Sequence, residues 1–431
     1  MLDIFNPNTV DSTGLTEFAP DSTAAGTLVF YHASQGKPLA TPWQVALARS
    51  NLLTQLTLPE GYILDCACGS GIQLGAHMAL LQRPGIGVEL DVLRAQASAV
   101  NLQSIAEYRN EMDSLRMQNT RIIAGDGRDG EGVCSMIAEH LKLEQFPPIA
   151  LLHLDPARPR NSRTHGLEEM APRLDEVFKG WAPFLAEGEN GPALLLDLSP
   201  RLTHDQRLGV ERMVDEVWNG ISRTWVWTSR GRGRVDRLAL WLGSASTTGV
   251  ARRFVRIPPS ITEEAYVISG GEILAAGNGL PTPLRQPPRR GERISILDAA
   301  LVESGLAEEW LKSVTKSEQI TWGVVEGRRP QIHHQHPLRL ENEMDRMLVQ
   351  ATGRVVALAR INLGLDTVDQ LVELILEHDV SKMTVRVPLA PEIQPKIQGA
   401  IDRQLARRHG RREAFLVQQP GDEMLLICIA E

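Results

Sequence analysis

The chain has 431 residues, 42% of them hydrophobic, enough to bury a sizeable core and to form about two or three domains. Its net charge of −8 excludes a protein that coats nucleic acid indiscriminately, and no apolar run approaches the about 20 residues needed to cross a bilayer. The start, from Met1 to Pro7, lacks the basic region and long apolar core of a signal peptide, so a cytoplasmic protein without a membrane partner is expected. The four cysteines, Cys66, Cys68, Cys134 and Cys428, form neither a disulfide framework nor a zinc-ligand spacing; they read as reduced, buried thiols, and no metal is expected.

Residues 1–50 read as a lead-in, polar and irregular over 1–30 and closing with a helix through Leu53. The stretch 31–43 is dense in aromatic and hydrogen-bonding groups for a loop. Thr41, ahead of Pro42, reads as the N-cap of that helix, or alternatively as part of a loop closing over a ligand held at Asp65.

From Tyr62 onward strands and helices alternate. Strands are predicted over 63–67, 85–89, 121–126, 149–155 and 193–197, with helices over 72–81 and 92–108. This alternation implies parallel strands with crossover helices in a doubly wound sheet. Two further strands, 222–228 and 235–242, are joined by so short an arginine-glycine link that they must pair antiparallel. Together they make an expected domain over 51–248.

In such a sheet a ligand sits outside the carboxyl ends of the strands, and Asp65, Glu89, Asp126 and Asp155 all fall there. Gly69 and Gly71 remove side chains so that a ligand can lie against the turn. Glu89 stands about 20 residues beyond the turn, where a carboxylate can accept both ribose hydroxyls. Leu74 occupies the place of the third glycine of a dinucleotide fingerprint, which argues against a nicotinamide cofactor.

Beyond the sheet, 252–259 is a proline-marked boundary and 281–291 a flexible basic stretch. A middle α+β unit is expected over 262–350, with a hairpin over 266–276 turning at Gly270-Gly271 and an amphipathic helix over 297–314. Residues 351–431 alternate again: strands 355–361, 382–387, 414–417 and 424–430, and helices 367–377 and 393–407.

The succession Asp-Cys-Ala-Cys-Gly-Ser-Gly at 65–71, Gly-Val-Glu at 87–89, Ala-Gly-Asp-Gly at 124–127 and Leu-Asp-Pro-Ala-Arg at 154–158 resembles the motifs of class I S-adenosylmethionine-dependent methyltransferases. The layout of the rest, with a linker helix over 295–306 and a closing strand over 425–429, resembles the members of that family that carry a C-terminal THUMP-like domain. The resemblance implies an α/β fold with a seven-stranded Rossmann-like methyltransferase sheet ending in an antiparallel hairpin, which would make 51–248 the catalytic domain, plus a C-terminal α+β, THUMP-like or ferredoxin-like part at 351–431. It implies S-adenosyl-L-methionine as cofactor: Asp65 would orient the methionine amino group, Gly69 and Gly71 would border its carboxylate, Glu89 would bind the ribose, and Asp126 would contact adenine N6. Thr41 would belong to the closing loop. Asp155 and the main-chain carbonyl of Pro156 would accept hydrogen bonds from the target amine, and Asp155 could take its proton.

Ala157 and Arg158 replace the second proline and aromatic residue usual in methyltransferases acting on base nitrogens, leaving Arg158 to stack on a base or hold a phosphate. The THUMP-like part implies a structured RNA, tRNA or rRNA, as partner. Arg230, Arg232 and Arg234 on the hairpin, and Arg403, Arg407, Arg408, Arg411 and Arg412 in the tail, could hold its phosphates, or could simply be solvated charges. Trp225, Trp227 and Trp241 read as core, and His333-His-Gln-His336 as a surface loop. The expected function is thus methylation of a base nitrogen of RNA. The alternatives are methylation of a protein or small molecule, and RNA binding by a methyltransferase-like domain without activity.

Overall fold

The computed structural model describes residues 3–18, 28–33, 40–109, 114–146, 148–158, 166–231, 233–270, 282–283, 287–315, 320–419 and 424–431. The chain divides into two units, Met1–Arg230 with Asp236–Ile273, and Gly231–Val235 with Leu274–Glu431.

The first unit opens with three short strands, β1 (Asp3–Phe5), β2 (Thr16–Phe18) and β3 (Phe30–His32), in the stretch expected to be irregular. Helix α1 (Trp43–Leu53) precedes β4 (Tyr62–Asp65), α2 (Ile72–Leu81), β5 (Gly85–Glu89), α3 (Val92–Arg109), α4 (Ser114–Asn119) and β6 (Arg121–Ala124). Then come α5 (Gly130–Leu141), β7 (Ile149–Leu154), α6 (Leu174–Trp181), β8 (Leu194–Leu198), α7 (His204–Asp215), and β9 (Arg223–Ser229), β10 (Arg237–Leu242), β11 (Arg252–Arg256) and β12 (Tyr266–Gly270).

Among the described residues ten of these strands form one sheet in the order β1-β6-β5-β4-β7-β8-β10-β9-β11-β12, and β2 and β3 pair with each other apart from it. The seven predicted strands are its contiguous middle. Pairing from β6 through β8 is parallel, and β10 is antiparallel to both neighbours. The sheet has ten strands instead of seven because β1 adds antiparallel to β6, and β11 and β12 extend the other edge past 248. The segment 252–256 therefore belongs to the sheet; its Phe254 and Val255 are fully buried.

The central strands are covered on both faces, which is why β4, β7 and β8 are apolar apart from Asp65 at the end of β4, His153 in β7 and Asp197 in β8. Leu74, Met78, Leu102, Ile122 and Leu151 share one core cluster, and Trp225, Trp227 and Trp241 are buried as expected. All four cysteines are free and buried.

The second unit contains β13 (Arg293–Leu297), α8 (Ala299–Glu303), α9 (Ala307–Thr315), β14 (Thr321–Val324), β15 (Gln331–His334), α10 (Glu343–Met347) and β16 (Val349–Arg360). It ends with α11 (Val368–Leu376), β17 (Val380–Val385), α12 (Gln394–Leu405), β18 (Arg412–Gln418) and β19 (Met424–Ala430). The seven strands form a single sheet, β14-β15-β13-β16-β19-β18-β17, parallel only between β17 and β18. The twelve-residue β16 pairs with β13 on one side and β19 on the other, so the stretches expected as a middle unit and a tail share one sheet.

Two expectations change here, and a third is only partly described. The helix predicted over 297–314 is the end of a strand and two helices, since Asp298 caps α8 through Ala300 N–H and Gly305, at φ +76°, ends it. His333 and His334 lie buried in β15 instead of on a surface loop. Of the hairpin predicted over 266–276, β12 is present, and the rest lies outside the described residues, as does part of 281–291.

Among the described residues no helix is long and apolar enough to cross a membrane, and no cluster of three or more His, Cys, Asp or Glu is arranged to hold a metal.

Candidate active site

Four parallel strands end side by side in register. Asp65, the last residue of β4, lies opposite Gly87 and His153, and Glu89, the last of β5, opposite Ala124. Asp126 and Asp155 follow β6 and β7 by two residues and one. The turn after β4 is pinned at both sides: Cys66 N–H donates to the His153 carbonyl at 3.1 Å and Cys68 N–H to the Val88 carbonyl at 3.0 Å.

Gly69 and Gly71 both take left-handed conformations, φ +52° and +70°, and Gly71 caps α2. A Cβ on Gly71 would stand 2.3 Å from Ser98 Oγ, so no other residue fits without displacing α3. Glu89 reaches this turn. Its Oε2 accepts Gly69 N–H at 3.1 Å and its Oε1 accepts Asp91 N–H at 3.1 Å. Each oxygen keeps a second lone pair for an incoming hydroxyl. Asn101 on α3 donates to the carbonyls of Ser70, at 2.8 Å, and Tyr31, at 3.0 Å, and accepts Tyr31 N–H at 2.7 Å. The stretch around Tyr31 is thereby tied to the glycine turn; residues 34–39 lie outside the described structure.

Asp126 is engaged within its own loop. Arg128 Nε and Nη2 bind its carboxylate at 2.9 and 2.6 Å, and this pairing lowers the Asp126 pKa. Arg128 also holds Glu176 at 2.8 Å.

Asp65 is buried and faces inward, to a feature the sequence reading missed. Its Oδ1 accepts Ala67 N–H at 3.2 Å, and its Oδ2 lies 2.8 Å from His153 Nδ1. His153 Nε2 lies 3.3 Å from Asp197 Oδ2, and Asp197 receives both Nη atoms of Arg49, at 2.6 and 2.5 Å. Arg49 Nη1 continues to Gln73 Oε1 at 3.1 Å, and Gln73 and Ser50 meet the two ring nitrogens of His77.

Every side chain in this chain of contacts is under a tenth exposed. Burial works against a charge on His153, yet Asp65 and Asp197 overcome it and raise its pKa to about 9, so it is an imidazolium. His77 is the reverse: burial, then the charges of His153 and Arg49, push it well below its usual value and keep it neutral. Asp197, despite burial, is held well below the carboxylate range by Arg49 and His153. Two carboxylates and two cations thus balance inside the sheet. The sequence signal was a histidine and an aspartate set in apolar strands, Ile-Ala-Leu-Leu-His-Leu and Leu-Leu-Leu-Asp-Leu, since a charge there must have a partner.

On the other side of the strand ends, Asp155 Oδ2 is 2.8 Å from Arg237 Nη1, and Arg237 Nη2 donates to Thr41 Oγ1 at 2.8 Å. Arg237 opens β10 and was not singled out from the sequence. Thr41 is not the cap of α1: Pro42 is, with no side-chain cap, and the Thr41 hydroxyl serves Arg237 instead. The main chain beyond Pro156 is fixed by reciprocal hydrogen bonds between Ala157 and Ala171, at 2.8 and 3.0 Å. Arg158 Nε and Nη2 are buried without a hydrogen-bond partner; burial lowers its pKa, against the charges of Asp155 and Asp197.

Of the hairpin arginines, Arg230 differs from expectation, whereas Arg234 is exposed. Arg230 is turned onto Asp236, with Nη2 at 3.2 Å and a side chain only 12% exposed, so it is not displayed to solvent for a phosphate. Arg232 lies outside the described residues. Arg407 and Arg408 are exposed on the second unit, just after α12.

No family model matches the chain, and no curated protein matches it. Among solved structures, a protein of Porphyromonas gingivalis W83 described as a candidate methyltransferase covers 91% of this chain and 81% of its own at 13% identity, with a TM-score of 0.53. A candidate class I S-adenosylmethionine-dependent methyltransferase of Listeria monocytogenes covers 53% and 69% at 13% identity, with a TM-score of 0.33. A 16S rRNA N2 methyltransferase of T. Thermophilus, in complex with AdoMet and guanosine, covers 54% and 51% at 15% identity, with a TM-score of 0.33. At these identities the likeness is one of fold: the chain is folded like the methyltransferase-described protein of Porphyromonas gingivalis.

Proposed function

We propose that the chain is an S-adenosyl-L-methionine-dependent methyltransferase that modifies a base nitrogen of a structured RNA, tRNA or rRNA. The observation that supports it most is the Glu89 carboxylate bonded to Gly69 N–H at 3.1 Å, beside the Asp65 and Asp155 strand ends. A side-chain-free turn with an acidic acceptor against it suits a ligand that has a ribose and an amino-acid end. When bound, the cofactor would supply an electrophilic methyl group on a sulfonium. Glu89 accepts the ribose hydroxyls, and Gly69 and Gly71 leave room for the methionine end. Asp65 acts through the turn, holding Ala67 N–H and itself held by His153. Asp126, paired to Arg128, would contact adenine N6.

Asp155 is the acceptor for the target amine, held in place by Arg237, with the Pro156 carbonyl beside it. Alignment of the nitrogen with the methyl group supplies most of the acceleration such a transfer needs. Arg158 offers its buried, unpartnered N–H groups to the base or an adjacent phosphate. The THUMP-like part, with Arg407 and Arg408 exposed, helps grip the RNA.

Calorimetry tests the donor site. S-adenosyl-L-methionine should bind the wild type and bind Glu89→Ala more weakly; no binding, or equal binding, refutes the assignment. For the acceptor, cellular RNA incubated with labelled cofactor should be methylated by the wild type and much less by Asp155→Ala. Equal incorporation removes Asp155 from the site. A protein or small-molecule substrate would show as donor binding without RNA labelling.

A further inference from the structure

We propose that the second unit carries an oxyanion pocket of its own, built for a phosphate group by Arg328, Arg329 and Arg386. With Gly231, Gly233 and Gln350 these three line a cavity of about 310 Å³, and all six residues belong to that unit. Arg328 and Arg329 lie on the turn between β14 and β15, and Arg386 directly follows β17.

The cluster is positive and uncompensated. Arg329 Nη1 donates to the Val387 carbonyl at 2.7 Å, and Arg386 Nη2 to the Gln350 carbonyl at 3.1 Å. Among the described residues no carboxylate pairs with any of the three. Arg386 Nε is buried with no hydrogen-bond partner at all. Burial lowers the Arg329 pKa, and the neighbouring charges of Arg386 and Arg328 lower it further, the mark of like charges gathered without a counter-ion. In a chain with a net charge of −8, carboxylates were available and were not placed here.

Backbone carbonyls fix two of the forks in place while leaving N–H groups without acceptors. A tetrahedral, doubly charged phosphate supplies three or more acceptor oxygens to converging guanidinium forks, where a carboxylate offers only two. Gly231 and Gly233, at φ +75° and +68°, keep one wall bare. A Cβ on Gly233 would come within 3.2 Å of the Arg328 carbonyl and Gln350 Oε1.

This inference does not depend on the methyl-transfer reading: the pocket stands if donor binding fails. The phosphate can come from a small phosphorylated ligand or from an RNA chain, and the full-length protein distinguishes them. Calorimetric titration with inorganic pyrophosphate and anisotropy with a short RNA stem, with and without a 5′-phosphate, are run on the wild type, Arg328→Glu and Arg386→Gln. The wild type should bind at least one probe, and each variant should weaken that binding about tenfold or more, as the loss of a charge-assisted contact requires. Arg328 is exposed and makes no side-chain hydrogen bond, so Arg328→Glu should melt like the wild type. Binding of pyrophosphate alone assigns a small phosphorylated ligand; RNA binding displaced by pyrophosphate assigns the RNA chain. A wild type that binds neither probe, or an Arg328→Glu variant that binds as tightly as the wild type, overturns the proposal.

Discussion

His153 Nδ1 lies 2.8 Å from Asp65 Oδ2, so the carboxylate at the end of the first central strand is held from behind by a buried imidazolium on the next strand. The turn that would receive the methyl donor therefore rests on an ion pair inside the sheet. Its other side is Asp197, which Arg49 anchors from α1.

The first prediction concerns pH. Folding raises the His153 pKa from 6.5 to about 9, so the native state binds the proton more tightly than the unfolded chain does. The stabilisation is fully present below about pH 6.5 and is lost as pH rises through about 9, with a span on the order of 3 kcal/mol. Denaturant unfolding of the wild type and His153→Gln should show the wild-type advantage shrinking across that window. Parallel pH profiles would mean that His153 carries no charge. Asp197, whose pKa is lowered, has the opposite sign: its contribution is lost as pH falls below the usual carboxylate range.

A second prediction weighs buried against exposed ion pairs. Arg49→Met leaves Asp197 without its bidentate partner at 1% exposure and should cost about 3–5 kcal/mol. Lys312→Met removes an exposed pair with Glu309 and should cost no more than about 1 kcal/mol. Thermal or urea unfolding separates the two, and similar losses would refute the burial argument.

Glu89→Gln keeps the size of the side chain but removes its charge. Donor affinity should fall by about 1.5–3 kcal/mol, roughly tenfold to a hundredfold, as for loss of hydrogen bonds to a charged group. Calorimetry reads this directly, and unchanged affinity would place the ribose elsewhere.

Arg237→Gln tests the acceptor side. The change frees Asp155 and Thr41 from their shared guanidinium while leaving Glu89 and the glycine turn intact. The methylation rate should drop about tenfold to a hundredfold through lost alignment, with donor affinity unchanged. A fall in donor affinity with an unaltered rate would assign Arg237 to the cofactor.

The parallel strands were legible because a strand covered on both faces is apolar along nearly all its length, and β4, β5, β7 and β8 announce themselves that way in spite of His153 and Asp197. Their terminal acids were legible because a carboxylate ending such a run has to face a turn or a ligand. The edge strands were not. β1 and β2 are three residues each, too short for periodicity to register, and β11 carries Arg252, Arg253 and Arg256 within five residues. Nor does a sequence show that β16 would join the middle and tail stretches, because pairing across 50 or more residues leaves no local mark.

By itself, then, the sequence determined the alternating α/β order, the left-handed glycine turn before α2 and the row of acids beside it, all consequences of local conformation and burial pattern. Only the tertiary structure decided which charges meet. His153 joined Asp65 to Asp197, Arg237 claimed both Asp155 and Thr41, and Arg230 turned onto Asp236. Three other arginines, from two separate segments, gathered without a counter-ion. Coulomb pairing depends on distance in space, and the strands that set those distances are brought together by non-local packing.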